Sequence, residues 1–519
     1  MHGNNEVIYL IYPLTFNYAA GSESDPYKGA YGNLKGITAR VGYVASLGVD
    51  TVWITPFYPW GGRGFGYDIT DYKAVDPRYG TLEDFRELCD VYHDAGIKVI
   101  IDMVFNHCSI KHKWFQNSRN RLNAYKDFFV WADAKGFDCD GKPIPPNNWK
   151  SIWDDSGDSV WTWDEKREQF YMHSFDSAMP NLNLNNPIVQ KKILDIAKHW
   201  FDLGVDGFRL DAVTHYACDP ELRDNPLTPD GRQIRLYDIN SPNGAVFINR
   251  LKELANTYPV PKTLLAEYWY DTSEQGMKKA CKIFAESKCD AFFTGALNSG
   301  LDSFHTAIKN DMFVSPRGEK LNWAISNHDL VRAPTRLWGE HYYLSRVKML
   351  MSMLMTLPGS ICLYQGDELG LPNPKSIEDC KNPACDPANI WTPYKNPWDA
   401  GRAGFAMSDA PDDVTRTMAL HPDKKQYRLA VNHQSGPCSM LNYTRRLIAE
   451  RKKSIFNEYG YIHFIEDGRD PNVFAYIRSN ADKSKNILCI YNFSDHDVHI
   501  RYNGEVYHVR PVNMLHENL

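Results

Sequence analysis

The chain has 519 residues, of which 43% are hydrophobic and 24% charged, and its formal net charge at pH 7 is -6. These proportions are typical of a globular protein, and the mild negative charge argues against a nucleic-acid partner. No run of about 18 or more apolar residues occurs, so we expect no membrane span. The length exceeds that of one ordinary core but agrees with a barrel that carries insertions.

The N-terminal residues and the cysteines indicate the cellular compartment of the protein. Residues 1–6 lack the charged and apolar regions of a secretory signal peptide, and a strand-like segment follows at once. The 11 cysteines are scattered without paired metal-ligand spacing, which favours reduced thiols in a cytoplasmic enzyme. A secreted location stays open, because a signal peptide could have been removed ahead of this sequence.

Strand-like and helix-like segments alternate along most of the chain, which is typical of parallel βα units. The pattern predicts strands over residues 7–12, 50–55, 97–104, 206–211, 262–267, 290–294, 321–326 and 360–364. It predicts helices over residues 34–47, 82–95, 187–203, 246–258, 342–356 and 440–451. Eight βα units indicate an α/β protein of the (β/α)8 TIM-barrel class.

Two long stretches interrupt the alternation, and a different pattern ends the chain. Residues 107–185 follow the third strand and are rich in Trp, Asp, Gly and Pro, while residues 366–437 follow the eighth strand. Strand-like segments at 472–478 and 486–492 predict a C-terminal antiparallel β domain. The predicted domains are therefore a barrel over 1–106 and 186–455, an inserted domain over 107–185 and a β domain over 456–519.

A cation and a carboxylate lie two residues apart on the fourth predicted strand. Arg209 and Asp211 therefore point to the same face of that strand. An arginine beside a carboxylate lowers the pKa of the acid and keeps it ionised, which suits a nucleophile. A structural ion pair at a strand end is the alternative, since such pairs also perturb pKa values.

Polar side chains follow several of the predicted strands. In TIM barrels the catalytic side chains gather at the carboxyl ends of the strands. Acids or histidines follow strands two, three, four, five and seven, namely Asp68, His107, Asp211, Glu267, His328 and Asp329. Each of them alone could be a helix N-cap. Because five of the eight predicted strands are followed by such residues, the sequence predicts one active site at the carboxyl end of the barrel.

Several longer motifs occur in the order known from one family. They are residues 145–149 (Pro-Pro-Asn-Asn-Trp), 171–175 (Tyr-Met-His-Ser-Phe), 221–226 (Glu-Leu-Arg-Asp-Asn-Pro) and 364–370 (Tyr-Gln-Gly-Asp-Glu-Leu-Gly). Together with the acids at the strand ends, they resemble the α-amylase family, family 13 of the glycoside hydrolases. The exo-acting α-glucosidase branch is the most similar part of that family. The resemblance implies that the insertion is the family's B domain and the tail its C domain.

The same resemblance implies a role for each acid. Asp211 would be the nucleophile that forms a glycosyl-enzyme ester, and Glu267 would be the general acid and base. The sequence neighbours of Glu267 are nearly all apolar, so we expect desolvation to raise the pKa of this carboxyl. Asp329 would bind sugar hydroxyls and help to distort the ring. A retaining mechanism of this kind predicts catalytic carboxyls about 5–5.5 Å apart.

Further residues are implied to shape the sugar pocket. His107 and His328 would donate hydrogen bonds to sugar hydroxyls and Asp68 would accept them, with a plain strand-cap role as the alternative for His107. Arg402, in a segment that resembles a degenerate form of the family's Arg-bearing stretch, would lie near Asp329, with a surface arginine as the alternative. The candidates for aromatic walls, with ordinary packing as the alternative, are Tyr67, Trp153 and Phe175.

Two further features of the sequence concern metal binding and the type of glycosidic bond that is cleaved. Many relatives carry a calcium-type loop with alternating Asp and Asn after strand one. Residues 17–32 break this alternation, and Asn33 stands where an Asp would close the motif, so we expect neither a metal nor a cofactor, with bound calcium as the alternative. Ala212, directly after Asp211, resembles enzymes that act on α-1,4 bonds, whereas valine accompanies α-1,6 preference.

These observations predict a retaining exo-α-glucosidase that releases glucose from maltose, short malto-oligosaccharides or sucrose, as a monomer or homodimer. A glucosyl-transferring or isomerising enzyme on sucrose or trehalose would use the same residues and differ in the access of water. The non-catalytic alternative is an ectodomain like that of an amino-acid transporter heavy chain. It predicts a membrane span and tolerates loss of acids, whereas Asp211, Glu267 and Asp329 are all present here.

Overall fold

The computed structural model describes residues 5–17, 19, 32–64, 66–151, 158–295, 297–339, 343–373, 429, 431–465 and 470–519. Strands β1 to β3 are Val7–Ile11, Thr51–Ile54 and Lys98–Met103. Strands β4 to β8 are Trp131–Ala132, Gly136–Phe137, Pro143–Ile144, Trp161–Asp164 and Gln169–Met172. Strands β9 to β13 are Gly207–Leu210, Thr263–Glu267, Ala291–Phe293, Leu321–Trp323 and Ser360–Tyr364. Strands β14 to β19 are Gly460–Phe464, Val473–Asn480, Asn486–Asn492, Val498–Tyr502, Glu505–Val509 and Asn513–Asn518.

Eight of these strands close into a parallel barrel in the order β1-β13-β12-β11-β10-β9-β3-β2. Their residues are buried almost throughout, because helices cover the outside of such a barrel and side chains fill its inside. Every one of the eight lies within the range predicted for it, and Ser360–Tyr364 matches that range completely. The (β/α)8 fold class is therefore confirmed.

The helices α1 to α6 are Pro13–Phe16, Leu34–Thr38, Val41–Leu47, Leu82–Asp94, Lys113–Ser118 and Pro187–Asp202. The helices α7 to α12 are Pro242–Ala255, Glu274–Glu286, Leu301–Val314, Ala333–Trp338, Leu344–Thr356 and Met440–Lys453. The single helix predicted over 34–47 is wrong, because the backbone of Arg40 (φ -103°, ψ 11°) leaves the helical region between α2 and α3. The helix predicted over 246–258 begins earlier, since the Ser241 side chain caps it and Pro242 occupies its first turn.

The segment between β3 and α6 and the end of the chain form additional sheets. Strands β4, β8 and β7 make a three-stranded antiparallel sheet over an aromatic core, and β5 pairs with β6. Strands β14, β15, β16 and β19 form an antiparallel sheet beside the β17–β18 pair. The inserted domain after the third strand and the C-terminal β domain are thus present, while their exact boundaries stay predictions. Among the described residues, no helix combines the length and apolarity that crossing a bilayer requires.

Two buried arginines join the C-terminal part of the chain to the barrel. Arg451 of α12 donates through Nη1 to the carbonyl oxygens of Met355 and Leu357, and through Nη2 to that of Gly359. Arg478 of β15 donates through Nε to the carbonyl oxygen of Thr356 at 3.1 Å. These carbonyls belong to the end of α11 and the turn into β13, where helical partners are absent. The two side chains therefore satisfy backbone acceptors that would otherwise be buried without a partner.

We expect Arg451→Met to lower the free energy of unfolding by about 3 kcal/mol, because it leaves buried carbonyl oxygens without donors. Denaturant-induced unfolding measures this loss. Arg446→Met, on the exposed side of the same helix, is the matched control and should change stability by about 0.5 kcal/mol or less. Equal losses in the two variants would contradict the role assigned to Arg451.

Candidate active site

One buried guanidinium holds three acids together at the barrel mouth. Arg209 of β9 stands in register with Asp102 of β3. Its Nη1 donates to Oδ1 of Asp102 and to Oδ1 of Asp211, both at 2.8 Å, and its Nη2 contacts Oε2 of Glu267 at 2.7 Å. The guanidinium also lies 4.9 Å from the centre of the Trp53 ring. Arg209 thus links the carboxylates of three neighbouring strand ends.

The backbone after β9 positions Glu267. Ala212 has φ 49° and ψ 39°, in the left-handed region that alanine rarely adopts. Its N–H donates to Oε2 of Glu267 at 2.9 Å, and the same oxygen lies 2.7 Å from Nη2 of Arg209 in an ion pair. Oε1 accepts no hydrogen bond from the described part of the chain. The apolar environment expected for Glu267 is wrong, because strand pairing brings Arg209 beside it while the apolar sequence neighbours on either side of Glu267 point to the opposite face.

Asp102 connects the guanidinium to a second group of side chains. Its Oδ2 accepts hydrogen bonds from Tyr67 Oη at 3.0 Å and from Trp53 Nε1 at 3.2 Å. Tyr67 Oη also bonds to Nε2 of His328 at 2.6 Å, and the two rings stack with centres 5.4 Å apart. Desolvation lowers the pKa of His328 to about 4, so its imidazole is neutral at neutral pH. His328 therefore stacks on Tyr67 and holds its hydroxyl, and it is not among the described residues that line the pocket.

A pocket opens above these groups. Six predicted residues line it, namely Tyr67, His107, Phe175, Asp211, Glu267 and Asp329, together with Met179, Ala212 and Trp269. His107 meets Phe175 edge-on at 5.2 Å, and its Nε2 has no hydrogen-bond partner among the described residues. Burial lowers the pKa of His107 to about 3. A neutral imidazole with a free ring nitrogen is thus available to a ligand in the pocket.

Three predicted residues are not part of this arrangement. Asp68 is buried, but its carboxylate accepts the backbone N–H groups of Arg63 at 3.2 Å and Gly64 at 2.9 Å. It organises that loop and is not among the described residues that line the pocket. Trp153 and Arg402 lie outside the described residues.

Burial dominates the electrostatics of the acids. It raises the pKa of Asp211 well above its ordinary value, and the charge of Arg209 opposes this rise only in part. The expectation that Arg209 sets a low pKa for Asp211 is therefore wrong, because one guanidinium is shared among three carboxylates. Burial also raises the pKa of Asp329 to about 6. These acids retain protons at pH values at which isolated carboxyls are ionised.

Three residues of the site were not predicted. Asp102 is an acid within the apolar strand β3, which was a signal in the sequence, whereas its register with Arg209 is visible only in the structure. Trp269 follows Glu267 by two residues, beyond the end of β10, and lines the same pocket. Met179 offered no such signal, since only the fold of the inserted segment brings it against Phe175.

The loop considered for calcium lies largely outside the described residues. Asn33 accepts the N–H groups of Ala19 and Gly36 through Oδ1 and donates through Nδ2 to the carbonyl oxygen of Ala19. Its side chain thus caps α2 and binds the backbone of Ala19. No group of three or more His, Cys, Asp or Glu suited to a metal occurs in the part of the chain that the structure describes. The expectation of no metal and no cofactor stays a prediction.

Sequence comparison places the chain among known proteins. Residues 10–460 match the model of the alpha amylase catalytic domain. A probable alpha-glucosidase of Rhizobium meliloti (strain 1021) is 36% identical over 522 residues, which cover 94% of this chain and 89% of that protein. Maltase 1 of Drosophila virilis is 32% identical over 524 residues, with coverage of 95% and 78%.

Solved structures agree with this family. An alpha-glucosyl transfer enzyme, XgtA, superposes with a TM-score of 0.82 and 30% identity, covering 99% of this chain and 98% of its own. The trehalose-6-phosphate hydrolase of Bacillus licheniformis superposes with a TM-score of 0.81 over 99% of both chains, and its 24% identity shows a common fold. The chain belongs to the alpha amylase catalytic-domain family and is a glycoside hydrolase.

Proposed function

We propose that this protein is a retaining exo-α-glucosidase that removes glucose from the non-reducing end of short α-linked glucosides. The observation that carries the proposal is the single guanidinium of Arg209, which holds Asp211 and Glu267 at one pocket. A nucleophile and an acid on adjacent strands are what a double displacement requires. The relatives named alpha-glucosidase and maltase support glucosides as the substrate class.

The proposed first step forms a covalent ester. The carboxylate of Asp211 attacks the anomeric carbon, and the bond from that carbon to the leaving oxygen breaks as Glu267 donates a proton to the oxygen. Oε1 of Glu267 would carry this proton, because Oε2 already accepts a hydrogen bond from Ala212 and pairs with Arg209. When the ester neutralises Asp211, Arg209 keeps Asp102 as a charged partner.

The proposed second step releases glucose. Glu267 takes a proton from a water molecule, whose oxygen attacks the anomeric carbon from the side that the leaving group vacated. The ester bond breaks, and Asp211 recovers its negative charge beside Arg209. Two inversions at the anomeric carbon retain its configuration. Asp329 and His107, which line the same pocket, would bind the ring hydroxyls during both steps.

Glucosyl transfer is the second candidate function. The 30% identity with an alpha-glucosyl transfer enzyme over nearly the whole chain favours it. Hydrolysis and transfer share the covalent intermediate and differ in whether water or a sugar hydroxyl attacks it, so the same residues serve both. We propose α-1,4 bonds as the preferred linkage, because Ala212 leaves room beside the scissile bond.

A substrate panel tests the function. We expect free glucose from maltose at a higher rate than from isomaltose, trehalose or soluble starch, and proton NMR in the first minutes should show the α-anomer. Asp211→Asn should lower kcat by about four orders of magnitude, since it removes the nucleophile. Asp94→Asn, an exposed position on α4, is the matched control and should keep full activity.

Two outcomes of the panel would count against the proposal. Full activity of Asp211→Asn would show that another group attacks the sugar. Absence of glucose release from all five sugars, sucrose included, would contradict the α-glucosidase function itself. New disaccharides formed in place of glucose would favour the transfer reaction.

The pH dependence of the reaction follows from Asp211. Attack requires its ionised form, and burial raises the pKa of Asp211, so the acid limb of kcat/KM should lie above the ordinary carboxyl range of about pH 4. The charge of Asp329 contributes to that rise. In Asp329→Asn we therefore expect a much lower kcat/KM for an aryl α-glucoside, with its acid limb moved to lower pH.

His107→Gln is the control for this pH profile. The pKa of His107 is about 3, so its ring is neutral throughout the range, and the variant should lose activity without moving the limb. An acid limb that stays in place or moves to higher pH in Asp329→Asn would contradict the charge coupling.

A further inference from the structure

A threonine hydroxyl joins the segment that carries Asp211 to the segment that follows Glu267. Thr214 is fully buried in the 3₁₀ turn Val213–His215. Its Oγ1 donates to the carbonyl oxygen of Trp269 and accepts the backbone N–H of Trp269, both at 3.1 Å. We call this pair of hydrogen bonds the Thr214 clamp. Thr214 is not among the described residues that line the pocket, so the clamp acts from outside it.

The clamp replaces a strand ladder that ends early. Strands β9 and β10 pair in parallel as far as Leu210 and Ala266. Beyond Leu210 the chain turns, and the N–H of His215 donates back to the carbonyl oxygen of Ala212 at 2.9 Å. A turn of this kind uses its main-chain groups for its own bonds and cannot extend the ladder. The side chain of Thr214 therefore supplies the donor and the acceptor that a continued strand would have supplied.

Asn240 supports the clamp from the other side. Its N–H donates to the carbonyl oxygen of Thr214 at 2.6 Å, and its Nδ2 donates to that of Trp269 at 3.3 Å. The backbone of Asn240 is left-handed, with φ 54°, a conformation that asparagine adopts more readily than most residues. Without the threonine hydroxyl, the carbonyl oxygen of Trp269 would keep Asn240 as a donor, while the N–H of Trp269 would lose its acceptor.

Glu267 lies between two points of attachment to the segment that contains Asp211. Before it, Ala266 pairs with β9, and after it, Trp269 is held by the clamp. Its carboxyl is held as well, because the N–H of Ala212 donates to Oε2. Misplacement of a catalytic group by about 1 Å can cost about a hundredfold in rate. Residues 211–214 therefore fix both the main chain and the carboxyl of the proposed acid.

We infer that Thr214 is a positioning residue for proton transfer by Glu267, an inference that rests on the proposed function. The clamp fixes the main chain directly after Glu267, and so determines where Oε1 lies relative to the leaving oxygen. Because Asp211 and Thr214 belong to one short segment, the clamp also links the place of the acid to that of the nucleophile. Loss of the hydroxyl should therefore weaken proton donation more than it weakens sugar binding.

Two substrates with different leaving groups test this inference. The sugar hydroxyl that leaves maltose must be protonated, whereas fluoride leaves α-glucosyl fluoride without a proton. Thr214→Val removes the hydroxyl and keeps the branched shape. We expect its kcat/KM for maltose to fall about thirtyfold, mainly through kcat, while kcat/KM for α-glucosyl fluoride stays within about twofold of wild type.

Two further substitutions separate positioning from packing. Thr214→Ser keeps the hydroxyl and should return kcat/KM for maltose to within about threefold of wild type. Thr214→Cys places a weaker donor and acceptor at the same point, so it should show the same dependence on the leaving group with a smaller loss. It decides the matter if Thr214→Val fails to fold.

Thr444→Val is the matched control. It removes another fully buried threonine hydroxyl, which donates to the carbonyl oxygen of Glu368 outside the pocket, and should change kcat/KM for both substrates by about twofold or less. The inference is overturned if Thr214→Val lowers kcat/KM for both substrates equally or leaves maltose hydrolysis unchanged. In either case, hydrolysis of maltose by the wild type leaves the proposed function standing. A wild type that hydrolyses neither substrate would contradict the proposed function and the inference together.

Discussion

A guanidinium buried inside a barrel cannot stay unpaired, because removing one ion from water costs several kcal/mol. Arg209 is 1% exposed and meets this requirement with the carboxylates of Asp102, Asp211 and Glu267. Each of these acids comes from a different strand end, so the ion pairs also fix how β3, β9 and β10 meet at the mouth. The geometry proposed for catalysis therefore follows from a condition that the fold itself imposes.

The layer beneath the pocket makes this arrangement rigid. Trp53 covers one face of the guanidinium and donates to Asp102, while Tyr67 bonds to both Asp102 and His328. These contacts hold Asp102, Tyr67 and His328 in place from within the fold. The left-handed backbone of Ala212 fits the same scheme, since its strain is compensated by a hydrogen bond to Glu267. Strain of this kind is common at sites where a side chain must be held for chemistry.

Among the residues that the structure describes, acids outnumber cations at the pocket. Asp102, Asp211, Glu267 and Asp329 lie around Arg209 in a buried region, and burial raises the pKa of the three aspartates. The proposed reaction needs one ionised and one protonated carboxyl at the same time. The two oxygens of Glu267 differ in their surroundings, since Oε2 accepts from Ala212 and pairs with Arg209 while Oε1 has no partner among the described residues.

The sequence by itself determined the barrel, its eight strands and the acids at their ends, because hydrophobic periodicity and the placement of polar residues are local properties of the chain. It also paired Arg209 with Asp211, since alternation along one strand places both on one face. Only the tertiary structure decided what surrounds them. Strand pairing gave Glu267 a charged neighbour where the sequence suggested apolar ones, turned Asp68 toward its own loop and brought Met179 to the pocket. The pKa of Asp211 could not be predicted from the sequence either. It depends on desolvation by every residue packed around the carboxyl, and not only on its neighbours along the chain.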